Sequence, residues 1–190
     1  LREIENKGGL DERLIQAVSD GNVGEVRELL RRGADPNFQT NPYGSALILA
    51  ALKGHTDVVK ELMSHEITDP NLQNNELEFT ALMIAATQGH TDVVKELMSH
   101  QKTDPNLQGT FKTTALMMAA LKGHTDVVKE LMSHEKTDPN LQDDSKATAL
   151  MMAAREGHTD VVKELLSHER TNRDVRDRDG KTALDRASNC

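Results

Sequence analysis

Gly54-His55-Thr56-Asp57-Val58-Val59-Lys60-Glu61-Leu62 decides how this chain folds, because the same nine residues occur four times. The copies begin at Gly54, Gly89, Gly123 and Gly157. A weaker copy, Gly-Asn-Val-Gly-Glu-Val-Arg-Glu-Leu, begins at Gly21, and the successive offsets are 33, 35, 34 and 34 residues. Two further strings keep the same phase. (Ser/Thr)-Ala-Leu begins at Ser45, Thr80, Thr114, Thr148 and Thr182. Asp-Pro-Asn begins at Asp35, Asp69, Asp104 and Asp138, with Asn172-Arg-Asp in the fifth place. Self-similarity at a fixed period of this length is the mark of a stacked repeat array.

Each unit reads as helix, turn, helix and extended hairpin. Ala46-Leu47-Ile48-Leu49-Ala50-Ala51 is short and apolar, with small residues that let helices approach closely. Gly54 stops it, since glycine takes the left-handed conformation at little cost. Thr56 or Asp57 is placed to cap the next helix. Val58, Val59, Leu62 and Met63 then form one apolar stripe, and Lys60 and Glu61 fall off it. Asp69-Pro70-Asn71 is turn chemistry. A helix pair of this size cannot bury its stripe alone, but stacked copies can. A core one unit thick also accounts for a chain with 2% aromatic residues and no Trp.

Composition narrows the function classes. The 190 residues hold 23 Lys plus Arg and 31 Asp plus Glu, so the net charge is 23 − 31 = −8. That argues against nucleic-acid binding, which needs a basic face to release counterions, and against anionic membrane surfaces. No apolar run approaches the roughly 20 residues that span a bilayer. One cysteine, Cys190, and the lack of an Asn-x-Ser/Thr site point to a reducing compartment, cytoplasmic with the nucleus also open. The chain begins at Leu1 rather than Met, which is read as a piece of a longer protein.

The repeated Gly-His-x-Asp-Val-Val core and the Asp-Pro-Asn turn resemble the ankyrin repeat, whose unit is about 33 residues with a Thr-Pro-Leu-His-x-Ala signature. The resemblance implies an all-α repeat solenoid of about five helix pairs and a C-terminal half-unit. Residues 1–9 read as a flanking segment, and the units as about 10–42, 43–77, 78–111, 112–145 and 146–179, with a cap at 180–190. There are departures. The family's Pro is Ala at Ala46, Ala81, Ala115, Ala149 and Ala183, and its His is Ile48, Met83, Met117 and Met151. Without that His, looser loops between units are expected. The hairpin Gly survives at Gly180, while Tyr43, Lys112 and Lys146 stand in its place elsewhere, so reshaped tips are expected. Polar and charged Asp11, Glu12, Arg13, Gln16 and Asp20 at one end, and Asp185 and Arg186 at the other, read as caps that end the array near Cys190.

His55, His90, His124 and His158 share the family position at which His bonds turn backbone, a structural role. His65, His100, His134 and His168 form a second column, which could suggest metal. Packed helices lie about 8–10 Å apart and zinc bonds are about 2 Å, so bonding to helix-end carbonyls is the better reading. The methionines read as core, with one of Met117/Met118 and of Met151/Met152 available to the concave face. Cys190 has no local base or oxyanion device. No glycine-rich phosphate loop, His-Glu-x-x-His or Gly-x-Ser-x-Gly occurs. The chain therefore reads as no enzyme, with no cofactor, metal or small-molecule substrate expected.

Binding is read at the segments that vary between units. Helices are nearly identical, whereas the hairpin tips differ. Phe38 aligns with Leu72, Leu107 and Leu141 and reads as core. Tyr43, Phe79 and Phe111, with Leu77 and Lys112, are expected to form an exposed strip, and aromatic anchors concentrate binding energy. The family resemblance adds the inner-helix ends Leu52, Lys53, Thr87, Gln88, Leu121, Lys122, Arg155 and Glu156. The expected partner is a protein or peptide, with the acidic balance favouring a basic segment through steering. Free drift of unconstrained loops would also vary the tips. The alternatives are a spacer array with no ligand, and the substrate-docking arm of an enzyme elsewhere in the parent chain.

Overall fold

The structure is a computed structural model, and it describes residues 7–41 and 44–187. Five helix pairs follow one another: α1 Lys7–Ser19 with α2 Val23–Arg31, α3 Ala46–Lys53 with α4 Thr56–Met63, α5 Ala81–Gln88 with α6 Thr91–Met98, α7 Ala115–Lys122 with α8 Thr125–Ser133, and α9 Ala149–Arg155 with α10 Thr159–Ser167. A short α11, Ala183–Ala187, follows. The odd-numbered helices stack as an inner row, each against the next, and α2, α4, α6, α8 and α10 stack as an outer row. This is the all-α solenoid that the repeat implies.

The local reasons repeat with the sequence. The hydroxyls of Ser45, Thr80, Thr114 and Thr148 accept hydrogen bonds from the third N–H of the inner helix that follows. Gly54, Gly89 and Gly123 end those helices in the left-handed conformation. The outer helices begin differently from expectation. His55, His90, His124 and His158 occupy the cap position with no side-chain cap bond, and Thr56 is already helical. Each His ring instead reaches back one unit, to the carbonyl of Ser19, Leu52, Thr87 or Leu121 at 3.1–3.3 Å. Asp57 sits in the first turn, where its charge favours the helix dipole. Leu47, Leu82, Leu116 and Leu150, with the Val pairs Val58/Val59, Val93/Val94 and Val127/Val128 and with Val161, form one continuous buried column. Each such side chain contributes about 1.5–3 kcal/mol by leaving water.

The connections are not loose. Asn37 Oδ1 accepts from the Asp69 N–H at 2.9 Å, and its Nδ2 donates to the Ile67 carbonyl at 2.7 Å. Asn71, Asn106 and Asn140 repeat this pattern one unit on each time. Amide side chains thus tie the loops where the family's His is missing. The tips form a second ladder. The N–H groups of Thr110, Asp144 and Arg178 donate to the carbonyls of Leu77, Phe111 and Ser145. Among the described residues only the first hairpin is a strand pair, β1 Gln39–Thr40 against β2 Gly44–Ser45.

The second His column also differs from expectation. The rings of His134 and His168 lie 3.3 Å from Glu130 and Glu164, the carboxylates one turn earlier, rather than on helix-end carbonyls. At the N-terminal end, Asp11 is buried and accepts the Asp35 N–H at 2.7 Å, so it is a joint and not a solvated cap. At the other end Arg186 donates to Asp177 at 2.6 Å and to Asp179 at 2.7 Å, and Asp185 receives the N–H and hydroxyl of Thr182.

Candidate functional site

The tips are built by one position. Asn74, Asp143 and Asp177 are equivalent, and each side-chain oxygen accepts two N–H groups of its own turn, those of Leu77 and Phe79, Ser145 and Ala147, and Asp179 and Lys181. In the remaining described inner tip the equivalent residue is Gly109. A side chain cannot fit there, because an added Cβ would stand 2.6 Å from the Phe79 ring. With no acceptor to organise it, Thr110–Lys112 forms a single 3-10 turn in which Phe111 and Lys112 take φ of 60° and 58°. The turn drives Phe111 outward.

This geometry separates the expected strip. Phe111 is 71% exposed and Leu77 is 46% exposed. The two lie side by side, since both the N–H and the hydroxyl of Thr110 bond the Leu77 carbonyl. Phe79 does not join them. It is 9% exposed, part of the core, and fills the space above Gly109. The Asn74 bond to its N–H turns it inward. Tyr43 lies outside the described residues. Phe38, read as core, is half-buried. Lys112 is exposed, and its ammonium lies 3.9 Å from Asp144.

At the described tips that have lost the hairpin Gly, positive φ is kept. Glu78, Lys112 and Lys146, all equivalent to Gly180, hold φ of 53°, 58° and 60°. The sequence departs from glycine while the backbone does not.

The inner-helix ends form a parallel row. Lys53, Gln88, Lys122 and Glu156 share one register and are exposed. Leu52, Thr87 and Leu121, one residue earlier, are half-buried, and their carbonyls receive the His rings of the following unit. Arg155, their exposed equivalent, bonds Glu156 at 3.0 Å. Of the methionines considered for this face, Met118 is half-buried while Met117, Met151 and Met152 are buried.

Three carboxylates sit below the ordinary range: Glu61, Asp177 and Asp185, the last held down by the N–H and hydroxyl of Thr182. Burial alone would raise Asp177, but hydrogen bonds from the Lys181 N–H, Arg186 and the Asp179 N–H outweigh it. Glu61 is lowered chiefly by its hydrogen bonds with Arg27, at 2.7 and 3.0 Å. Among the described residues no three His, Cys, Asp or Glu side chains gather as a metal cluster, and no helix is long and apolar enough to cross a membrane. Cys190 lies outside the described residues.

The Asn74/Gly109/Asp143/Asp177 column was missed in reading the sequence. Its signal was present, as one glycine among three Asx residues at constant phase. A family model of ankyrin repeats, in three copies, matches residues 14–109 and 116–190. Arrays of this kind are in general protein–protein interaction modules and are typically non-catalytic. The match covers most of the sequence, and the chain belongs to the ankyrin repeat family.

Proposed function

We propose that this array is a non-catalytic module that binds a protein or peptide across its hairpin tips and concave face, with Leu77 and Phe111 as the anchors. The observation that carries this is Phe111. A large ring stands in water on a left-handed backbone, where a non-glycine residue costs about 1–2 kcal/mol. Phe111 serves the stack through its carbonyl, which accepts the Asp144 N–H, but its ring is left in water, and backbone strain clusters at binding surfaces. Lys53, Gln88, Lys122, Arg155 and Glu156 supply a polar rim on the inner row.

The partner segment carries apolar side chains and positive charge. Glu76 and Glu78 are exposed on either side of Leu77, and Lys112 is drawn toward Asp144. The charge around the anchors is therefore acidic, which steers a basic segment. The single cysteine suits a cytoplasmic setting.

The test is capture from cell extract with the full chain and with Leu77→Ala/Phe111→Ala, after circular dichroism has shown both to be folded. Partners that bind the tips should bind the double variant about tenfold or more weakly. Equal capture would overturn the site. A pure spacer would yield no partner that depends on the tips, and an enzyme docking arm would lose substrate turnover in the parent protein with the same double variant.

A further inference from the structure

We propose that the concave face carries a carboxylate subsite, a crevice in which an aspartate or glutamate side chain of the partner segment is held by Arg155 and Arg178. This rests on the reading that a segment crosses the tips, and it makes that segment bipolar, with a basic part over Leu77 and one carboxylate farther along. Three columns change to arginine together. Arg155 stands where earlier units have Leu52, Thr87 and Leu121, Arg178 where they have Thr110 and Asp144, and Arg186 where they have Ile84, Met118 and Met152. No cation occupies those earlier positions, and the three arginines line one crevice of about 300 Å³ with buried Met151 beneath them. Its walls are the tip at Ser145, the tip at Asp177 and Asp179, and the inner helices α9 and α11. It is therefore a space between two neighbouring described units, open on the concave side.

The charges favour a single anion. Three guanidinium groups and two carboxylates line the crevice, one positive charge in excess, in a chain whose balance is −8. Both carboxylates are committed to Arg186, Asp177 at 2.6 Å and Asp179 at 2.7 Å, so that Arg186 is a strut. Arg178 donates to the Asp144 carbonyl at 2.6 Å, a neutral group that fixes its position and leaves its charge. Arg155 bonds Glu156 through Nε at 3.0 Å. Both Arg155 and Arg178 are exposed. A guanidinium fork matches the planar carboxylate, and a charge-assisted bond of this kind is about twice as strong as a neutral one.

The crevice lies on the ladder that joins the tips. The N–H of Thr110 bonds the Leu77 carbonyl, that of Asp144 the Phe111 carbonyl and that of Arg178 the Ser145 carbonyl. A segment that covers Leu77 and Phe111 and continues along the ladder reaches it next. Packed helices repeat about every 10 Å and extended chain advances about 3.3 Å per residue. The carboxylate therefore stands about seven residues from the side chains over Leu77.

The probe is the blocked tripeptide acetyl-Ala-Glu-Ala-amide, titrated into the full chain and followed by NMR. Saturable binding at about 1–10 mM is expected, with shifts at the Ser145 amide and at the Nε–H groups of Arg155 and Arg178. The glutamine tripeptide should not saturate. Arg155→Gln and Arg178→Gln should each weaken binding tenfold or more, and circular dichroism confirms that both fold. Lys181→Gln removes a nearby cation outside the crevice lining and should change binding less than twofold. Leu77→Ala/Phe111→Ala should leave the tripeptide unaffected, so a failure of the anchors in partner capture and a failure of this subsite are separate results. The proposal is overturned if the glutamate tripeptide does not saturate, if the glutamine one binds equally, or if Lys181→Gln weakens binding as much as Arg178→Gln. It is also overturned if a phosphoserine tripeptide binds tenfold or more tightly than the glutamate one, since the crevice would then take a dianion.

Discussion

At the N-terminal end of the stack, Glu25 stands where later units have Val58, Val93, Val127 and Val161, and it lies 3.5 Å from Arg13. At the C-terminal end, Val162 and Leu166 keep the apolar character of their columns. One outer helix has been made polar where it faces out of the array, and the other has not. The inner row shows the reverse care, since Arg186 in α11 is held by Asp177 and Asp179. The first and last described units thus differ in which column carries a polar substitution.

The largest expected effect contrasts one column in the middle and at that end. Met132→Ala removes a side chain that is 1% exposed. It should lower stability by about 2–5 kcal/mol, the usual range for such a truncation. Leu166→Ala, in the equivalent position, should cost less than about 1 kcal/mol because the site is already open to water. Urea denaturation of both variants measures the difference. Equal losses would mean that the C-terminal outer face is as well packed as the middle, and the contrast between the ends would fall.

A second contrast uses glycines with one backbone conformation. Gly89 and Gly157 have φ of 76° and 75°. A Cβ at Gly89 would stand 2.8 Å from the His124 ring, while at Gly157 it would meet nothing within 4 Å among the described residues. Gly157→Ala should lose only the left-handed penalty of about 1 kcal/mol. Gly89→Ala should lose that and, in addition, about 1 kcal/mol for the displaced His124 bond to Thr87. Thermal denaturation would show the order, and a His124→Ala background should erase the gap.

Both ends also carry a staple that acid opens. Asp177 and Glu61 have folded values below their unfolded ones. Each therefore adds stability that is complete above about pH 4–5, near the unfolded carboxylate values, and is lost as pH falls below them. Amide protection in α11, taken relative to the intrinsic exchange rate at each pH, should fall from about pH 4 downward. Asp177→Asn should show faster exchange already at pH 6 and a flatter profile. Glu61→Gln should do the same at the junction of α2 and α4 while leaving α11 unchanged.

These contrasts separate what was legible from what was not. The phase and the helices could be read because they rest on patterns local in the chain, whereas the cap expected at Thr56 or Asp57 was misplaced and the Ser45, Thr80, Thr114 and Thr148 caps were not read. The roles of Asn37 and Asn71 could not be read, because their partners lie about one unit away and only stacking brings them near; the bond of His55 to turn backbone was expected from the family resemblance alone. At the tips, the outward position of Phe111 was anticipated and the inward one of Phe79 was not. Phe79 depends on a glycine 30 residues later, a pairing that is visible only when tips are compared in register.

The smallest expected effect returns to the tips. The terminal tip keeps Gly180 at positive φ, while the middle tips hold Lys112 and Lys146 there. Lys112→Gly and Lys146→Gly should each raise stability by less than about 1 kcal/mol, since relieved strain is partly offset by the greater freedom of glycine in the unfolded chain. Phe111→Gly should also stabilise, and it should weaken tip-dependent partner capture at the same time. Opposite signs in the two measurements are what a strained residue retained for binding requires. If Phe111→Gly instead lowers stability, the ring contributes to the stack, and the strain at this tip belongs to folding.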